Sequence, residues 1–265
     1  MDTSPHTHRA RKRFGQNFLH DANILRNMVS AIAPKPDDAL VEIGPGKGAL
    51  TFPLLRAIGK LQVIELDRDL IEPLRQQAQS LGDLTIVNAD ALRFDFAALA
   101  AELGPLRVIG NLPYNISTPL IFHLLAHADR IIDMHFLLQK EVVDRMAAAP
   151  GGKDYGRLSV MVQYHCQVQR LFGVGPAAFH PKPKVDSAFV RLTPIRTPPV
   201  EAQDLATLET VVRQAFSQRR KTLRKSLRGL LDEAAFAAAG IDPGSRPEQL
   251  PVEAFVRLAN QLQQS

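Results

Sequence analysis

Cysteine is almost missing from this chain of 265 residues, which contains only Cys166. A single thiol excludes an intramolecular disulfide framework, and this favours a reducing compartment such as the cytoplasm. We expect Cys166 to be a buried, unreactive thiol within an apolar helical segment. Long apolar runs are missing too, because those present are too short to span a bilayer. The N-terminal residues lack the apolar region of a signal peptide, so we expect no membrane association.

Acidic residues are absent from two basic segments. Residues 3–20 carry four basic side chains and residues 213–228 carry seven, with no Asp or Glu in either segment. The net charge of the chain is only +5, so the distribution of charge is more informative than its total. Solvated helix faces also produce such runs, but two of them in one chain favour an anionic partner such as nucleic acid.

Short apolar runs alternate with helical patterns over most of the chain. This alternation predicts an α/β fold with βαβ units and a mainly parallel, Rossmann-like sheet covered by helices on both faces. The last two runs are joined by a proline-rich loop too short for a crossover helix, so one strand should run antiparallel. The seven predicted strands are 40–43, 61–64, 84–87, 106–109, 131–138, 168–172 and 188–192.

Proline marks a domain boundary, since three prolines lie between Thr193 and Val200. Every pattern after this linker is helical. The predicted helices there are 205–217, 222–231, 232–239 and 252–262, and a further helix is predicted at 21–33. We therefore expect a flexible basic arm, an α/β domain and a small helical domain. Their predicted bounds are 1–20, 21–195 and 200–265.

A glycine-rich loop, Gly44-Pro-Gly46-Lys-Gly48, follows the first predicted strand. Glycine lets the backbone approach a ligand closely, and ligands of open α/β sheets bind at the carboxyl ends of strands. The spacing G-x-G-x-G differs from the dinucleotide motif G-x-G-x-x-G, and the Walker spacing is absent. The loop therefore disfavours an NAD-dependent dehydrogenase and a P-loop enzyme, while a strand-to-helix turn without a ligand stays possible.

Acidic side chains follow the next two predicted strands. Glu65 lies about 20 residues beyond the glycines, where a carboxylate would hold a ribose diol. Asp90 lies where a carboxylate would meet an amino group of a bound base, and Asp67 is expected to cap the following helix. Isolated acids at strand ends are usually solvated. Ligand-type residues at three consecutive strand ends nevertheless favour one shared site.

The loop Asn111-Leu-Pro-Tyr114 follows the fourth predicted strand and is the most informative segment. The exocyclic amine of adenine is a poor nucleophile, because its lone pair is delocalised into the ring. The Asn111 side-chain oxygen and the Leu112 carbonyl would accept its hydrogens and favour a more tetrahedral nitrogen. Pro113 would stiffen the loop, and Tyr114 would stack on the base. The alternative is a proline turn whose polar residues cap the next helix.

At these motifs the sequence resembles the ribosomal RNA adenine dimethyltransferases of the small-subunit type, over about residues 11–227. Many motifs match in order, which makes the resemblance highly specific. They are Arg11-Lys-Arg-Phe-Gly-Gln-Asn-Phe-Leu19, Glu42-Ile-Gly-Pro-Gly46, Glu65-Leu-Asp67, Asp90-Ala91, Asn111-Leu-Pro-Tyr-Asn-Ile-Ser117, Leu138-Gln-Lys-Glu-Val142, Tyr155-Gly-Arg-Leu-Ser159, Phe179-His-Pro-Lys-Pro-Lys-Val-Asp-Ser187 and Phe216-Ser-Gln-Arg-Arg-Lys221.

The resemblance implies a seven-stranded methyltransferase fold with S-adenosylmethionine (SAM) as the methyl donor and no metal. Asn17 and Leu19 would contact SAM from the N-terminal arm, and Gly44 would lie under its methionine part. A splayed-out target adenine would lie between Phe179 and Tyr114. The cofactor-binding set is Asn17, Leu19, Gly44, Gly46, Glu65, Asp90 and Asn111. The catalytic set is Asn111, Leu112, Pro113, Tyr114 and Phe179.

The implied substrate is two adjacent adenosines near the 3′ end of 16S rRNA, each dimethylated at N6. The RNA would belong to an immature 30S subunit in the cytoplasm, which implies a role in ribosome biogenesis, and we expect a monomer. The basic segment near the C-terminus would grip the RNA backbone. Part of it would form a turn between two helices and the rest would follow at helical spacing. The predicted RNA-binding residues are Arg219, Arg220, Lys221, Arg224 and Lys225.

Two alternatives remain open beside the dehydrogenase. One is an antibiotic-resistance methyltransferase that modifies large-subunit RNA with the same fold and chemistry. The other is a non-catalytic assembly factor on this fold. A metal site is not expected, because His123 and His127, although four residues apart, have no acidic or cysteine partner in the pattern.

Overall fold

The computed structural model describes residues 17–218 and 220–262, so the basic residues predicted in the arm and Arg219 lie outside the described residues. The described chain divides into two compact units. The first comprises the described residues up to Val143 together with Gln169–Thr193, and the second comprises Asp144–Val168 together with the described residues from Pro194 onward. The sequence-based division differs at 144–168, which it places in the α/β domain.

A seven-stranded sheet in the order β4-β3-β2-β5-β6-β9-β7 confirms the predicted fold class. The bounds of each predicted strand agree with the structure within two residues. The nine strands within the described residues are β1 Phe18–Leu19, β2 Ala39–Ile43, β3 Lys60–Glu65, β4 Asp83–Asn88, β5 Leu106–Asn111, β6 Ile131–Gln139, β7 Cys166–Val174, β8 Phe179–His180 and β9 Ser187–Pro194.

The central strands run parallel, and this brings their carboxyl ends to one edge. β2 pairs in parallel with β3 and β5, β3 with β4, and β5 with β6. β9 runs antiparallel to β6, as the short proline-rich connection predicted. The loops after β2, β3, β4 and β5 therefore meet at the edge where open α/β sheets bind ligands.

Helices complete both units, and those after the linker agree with the sequence pattern except in one place. The segment predicted as helix 222–231 is helical only at 223–226, because Gly229 adopts a φ of +87° that a continuing helix does not allow. The helices are α1 Ala22–Ile32, α2 Thr51–Ile58, α3 Arg68–Ala78, α4 Phe96–Leu103, α5 Ser117–Leu125, α6 Lys140–Met146, α7 Arg157–His165, α8 Leu205–Ala215, α9 Leu223–Ser226, α10 Glu233–Ala239 and α11 Val252–Leu262.

Cys166 is buried, as expected, but the expectation that it belongs to a helix is wrong. It is the residue at which α7 ends and β7 begins. Burial raises the pKa of its thiol to about 12, so the thiolate that would react is suppressed.

In the second unit, α7 packs against α8 and α11, and this is why residues 144–168 group with the C-terminal helices. No helix in the described ranges is long and apolar enough to cross a membrane.

A buried charged cluster lies at the opposite end of β5 from the glycine loop. The Arg107 guanidinium donates to Asp133 through Nε at 3.0 Å and through a terminal nitrogen at 2.9 Å. It also contacts Asp38 at 2.5 Å and donates to the Ile32 carbonyl at 2.6 Å. These bonds join the C-terminal end of α1 to two strands. They anchor α1, the helix that follows residues 17–20.

Candidate active site

A cavity of about 360 Å³ opens at the carboxyl edge of the parallel strands in the first unit. Its volume lies in the range of small-molecule sites. Its walls come from the N-terminal segment, the glycine loop and the ends of β3, β4 and β5. All the sequence-predicted cofactor residues line it, namely Asn17, Leu19, Gly44, Gly46, Glu65, Asp90 and Asn111. The structure therefore brings together residues that are up to 94 positions apart.

Gly44 and Gly46 in the glycine loop both adopt a positive φ, but their surroundings differ. Gly44 has a φ of +68°, and a Cβ built there would meet nothing within 4 Å, so the space above it is open to a ligand. Gly46 has a φ of +58°, and a Cβ there would lie 3.2 Å from the Phe18 ring. The loop is thus shaped both for a ligand and for the close approach of the N-terminal segment.

Glu65 is held in place by backbone donors on both oxygens. Its Oε1 accepts from the Asp67 N–H at 2.8 Å, and its Oε2 accepts from the Gly46 N–H at 3.2 Å. Burial raises the pKa of Glu65, and these hydrogen bonds partly offset that effect. The carboxylate is therefore oriented before any ligand arrives. Asp67 caps α3 by accepting from the Asp69 N–H at 3.3 Å, which confirms its expected role.

Asp90 lines the cavity from the loop after β4. Its Oδ1 accepts from the Leu92 N–H at 3.0 Å, and this fixes the carboxylate while its second oxygen remains available to a ligand. Leu66, which directly follows Glu65, exposes 49% of its surface and also lines the cavity. An apolar surface beside a carboxylate suits a flat base with an exocyclic amine.

Asn111 joins the catalytic loop to the N-terminal segment. Its Nδ2 donates to the Asn17 carbonyl at 3.0 Å. Because a carbonyl oxygen only accepts hydrogen bonds, the amide orientation is determined, and Oδ1 is left as the acceptor. This is the atom that is predicted from the sequence to accept a hydrogen bond from the target amine. Leu112, Pro113 and Tyr114 line the same cavity.

The N-terminal segment is paired where the sequence predicted a flexible arm. Phe18 lies opposite His180 and Leu19 opposite Phe179 in the antiparallel pair of β1 and β8. The Lys47 ammonium lies 4.9 Å from the centre of the Phe18 ring. Residues 17–20 therefore cover the glycine loop as an ordered wall. Sequence patterns could not reveal this pairing, because its partner lies some 160 residues away.

The two aromatic residues predicted to sandwich the target base are not both at the cavity. Tyr114 lines it, and its hydroxyl is 2.7 Å from the Ser187 Oγ. Burial raises the pKa of Tyr114, so the phenol stays neutral. Phe179 is only 3% exposed, packs in a core cluster with Leu19 and Phe189, and is absent from the described lining of the cavity.

Glu42 and Lys47 belong to this site although no sequence motif predicted a role for them. Both line the cavity, and Glu42 is only 2% exposed. A glutamate inside the apolar strand Leu40–Ile43 was the available signal, because charged residues are rarely buried without a role.

His123 does not line this cavity. Its Nε2 lies 2.8 Å from the Phe94 carbonyl oxygen, and its ring packs against the ring of His127. The described residues contain no group of three or more potential metal ligands.

Nearly the whole chain, including the residues that line this cavity, matches one known protein family. Residues 7–264 match the family described as ribosomal RNA adenine dimethylase. The chain belongs to this family. This membership excludes the dehydrogenase alternative.

Individual relatives of this dimethylase agree over nearly the whole chain. It is 60% identical over 260 residues to "Ribosomal RNA small subunit methyltransferase A" of Pseudomonas fluorescens, covering 98% of this chain and 96% of that protein. The protein of the same name from Pseudomonas aeruginosa is 61% identical over 255 residues, covering 96% and 95%. Among solved structures, a dimethyladenosine transferase from Plasmodium falciparum has a TM-score of 0.76 at 26% identity, covering 91% and 95%. The 23S rRNA methyltransferase ErmE has a TM-score of 0.70 at 28% identity, covering 93% and 100%.

The cavity of this SAM-dependent dimethylase fits its methyl donor. The backbone at Gly44 is open to a ligand, the oriented Glu65 carboxylate suits a diol, and the Asp90 carboxylate suits an amine. The buried Glu42 Oε2 has no hydrogen-bond partner among the described residues, and a ligand with a donor or a positive charge would provide one. When bound, SAM supplies a methyl group activated by a sulfonium.

Replacing Asp90 with alanine is expected to weaken SAM binding by roughly 10- to 100-fold, because a charged acceptor is lost. Isothermal titration calorimetry measures this directly. The matched control is Asp95→Ala, since Asp95 also caps its own turn, at Ala98 N, but does not line the cavity. Equal affinities for the Asp90 and Asp95 variants would show that Asp90 only caps its turn.

Proposed function

We propose that this chain dimethylates N6 of two adjacent adenosines near the 3′ end of 16S rRNA in the assembling 30S subunit. Identity of about 60% over nearly the full length of small-subunit relatives carries the assignment. The geometry of Asn111 supports it, since Oδ1 is left as an acceptor in the cavity. A place in ribosome biogenesis in the cytoplasm, with the protein acting as a monomer, belongs to the same proposal.

In the proposed reaction the loop after β5 positions the target amine. Asn111 Oδ1 and the Leu112 carbonyl accept the two N–H bonds, so that the nitrogen lone pair points at the methyl group. Holding the two reactants in this orientation accounts for most of the rate acceleration in a direct methyl transfer. Tyr114 stacks on the base with its phenol neutral. Water takes the amine proton after transfer, so no general base is required.

Phe179 must change its surroundings to stack on the target base. It lies in the core cluster and is paired through its backbone with Leu19. We propose that arrival of the RNA base draws the Phe179 ring out of this cluster towards Tyr114. The cost of uncovering an aromatic ring would be offset by base stacking, which is worth about 1–3 kcal/mol.

Modification of large-subunit RNA is the second candidate, because the 23S rRNA methyltransferase ErmE shares the fold at a TM-score of 0.70. Labelled methyl transfer from SAM to immature small-subunit particles, large-subunit particles and free RNA separates the candidates. We expect label at adenine N6 in the small-subunit particles. Label confined to large-subunit RNA would favour the second candidate, and label in none of the three would favour a non-catalytic assembly factor.

The basic segment of the second unit is proposed to grip RNA phosphates. Arg220 and Lys221 are exposed in the turn between α8 and α9, and Lys225 and Arg228 are exposed beyond it. Arg224 is less available, because its Nε lies 2.8 Å from the Glu233 carboxylate. The RNA-binding proposal therefore depends more on the turn than on α9.

A triple variant in which Arg219, Arg220 and Lys221 are each replaced by glutamine is expected to bind the ribosomal particle more weakly. Its binding should also depend less on salt concentration. The slope of log K against log salt should fall by about one unit per lost phosphate contact. SAM affinity should not change, since neither Arg220 nor Lys221 is among the residues that line the cavity. The charge-matched control replaces the exposed Arg56, Lys60 and Arg75 of the first unit. Identical salt slopes for the two triple variants would contradict a specific phosphate grip.

A further inference from the structure

Glu42 occupies an unusual position in the cavity wall. It lies on the central strand β2, is 2% exposed, and its Oε2 has no hydrogen-bond partner among the described residues. The buried Thr51 hydroxyl on α2 is near enough to favour the charged carboxylate, but it does not reach hydrogen-bonding geometry with that oxygen. An unpaired carboxylate in such a place is costly, so the free protein must relieve the charge in another way.

Among the described residues, no positive charge is paired with Glu42. The neighbouring strands present Val63 and Ile109 at its register. The other charged residues that line the cavity, within the described ranges, are Lys47, Glu65 and Asp90. Lys47 is exposed over the Phe18 ring, and both oxygens of Glu65 already accept backbone N–H bonds.

Burial raises the pKa of Glu42 to about 8, and the negative charge of Glu65 acts in the same direction. The carboxyl is therefore mostly protonated at pH 7 in the free protein. A ligand with a positive charge at this point of the cavity would reverse the preference, because the carboxylate would then be paired.

We propose that Glu42 is a proton-linked counter-charge for the methyl donor, protonated in the free protein and ionised against a positive charge of the donor when it binds. The O–H bond of the carboxyl breaks, its electron pair stays on the carboxylate, and the proton passes to solvent. The donor carries two positive charges, a sulfonium that is lost on methyl transfer and an ammonium that its demethylated product retains.

This loss of a proton on binding determines how the affinity for SAM depends on pH. The complex holds one proton fewer than the free protein, so the affinity for SAM should rise with pH. Below pH 7 the rise should approach tenfold per pH unit, and it should level off above the pKa of the free carboxyl, about 8. Glu42→Gln, which resembles the protonated carboxyl in shape, should bind SAM more weakly at pH 8 and lose this dependence.

Calorimetry in buffers of different ionisation enthalpy measures the released proton directly. At pH 6.5 we expect close to one proton released per SAM bound by the parent protein, and none by Glu42→Gln. The structural control is Thr51→Val, which removes the neighbouring hydroxyl but keeps the carboxyl, so proton release should persist. Absence of release by the parent protein, or equal release by Glu42→Gln, overturns the proposal.

Two ligands identify which charge is paired. Release with the demethylated product S-adenosylhomocysteine assigns the ammonium, and release with SAM alone assigns the sulfonium. Neutral methylthioadenosine has neither charge and should bind without release. Equal release with methylthioadenosine would mean that occupancy of the cavity, and not charge, expels the proton, and the proposal would fail.

Discussion

Replacing Asn111 with alanine is expected to lower the rate of methyl transfer at saturating SAM by about 100-fold or more. The side chain contributes an acceptor that is most useful in the transition state, where the target nitrogen becomes tetrahedral and its N–H bonds become more acidic. Loss of one preorganised polar group of this kind typically has an effect of that size. The structure supports the assignment, because donation to the Asn17 carbonyl at 3.0 Å determines which amide atom is left as the acceptor.

Single-turnover transfer to small-subunit particles separates this effect from binding. SAM affinity should fall as well, by a smaller factor, since the bond that holds the N-terminal segment is lost. Asn115→Ala is the matched control, because Asn115 is an exposed asparagine in the same loop that also lines the cavity. If the Asn111 variant transferred methyl at the parental rate once SAM was saturating, the loop would be only a structural turn.

Replacing Arg107 with methionine is expected to destabilise the first unit by about 3–5 kcal/mol. The guanidinium is 10% exposed and contacts Asp38 at 2.5 Å and Asp133 at 2.9 Å. Its removal leaves two nearly buried carboxylates without a counter-charge, and it also leaves the Ile32 carbonyl without its donor. Desolvated charges that lose a partner cost much more than exposed ones.

Urea unfolding with matched slopes gives this free energy. The control is Arg75→Met, because Arg75 forms a 2.9 Å ion pair with Glu72 in which both side chains are more than half exposed. That change should cost at most about 1 kcal/mol. Similar losses for the two variants would show that the Arg107 cluster is no more important than a surface ion pair.

The locally encoded parts of the fold were predictable from the sequence. Strands and helices differ in the period of their apolar residues, and glycine, proline and capping residues mark the turns between them. The seven strands of the sheet, the acid that ends β3 and the acid that follows β4 were therefore predicted close to their positions. Convergence of those acids with the glycine loop followed from the rule that parallel strands end at one edge.

Predictions that depended on neighbours distant in the chain were less successful. The sequence did not show that Phe179, which is predicted to stack on the target base, packs beside Leu19 in the core of the free protein. Residues 17–20 were expected to be a flexible arm, yet β1 pairs with β8. The residues Phe18–Leu19 alone do not indicate a strand, because a segment of two residues is too short to show an alternating apolar pattern. The strand forms through its pairing with β8.

The sequence by itself determined the strands of the main sheet and the glycine loop that follows β2, because these depend on backbone preferences and spacing over a few residues. Only the tertiary structure decided which side chains lost contact with water. Burial made Glu42 an unpartnered acid, made Arg107 the centre of a charged cluster and placed Phe179 in the core. Charge and desolvation depend on everything packed around a group, and the chain brings those neighbours together only when it folds.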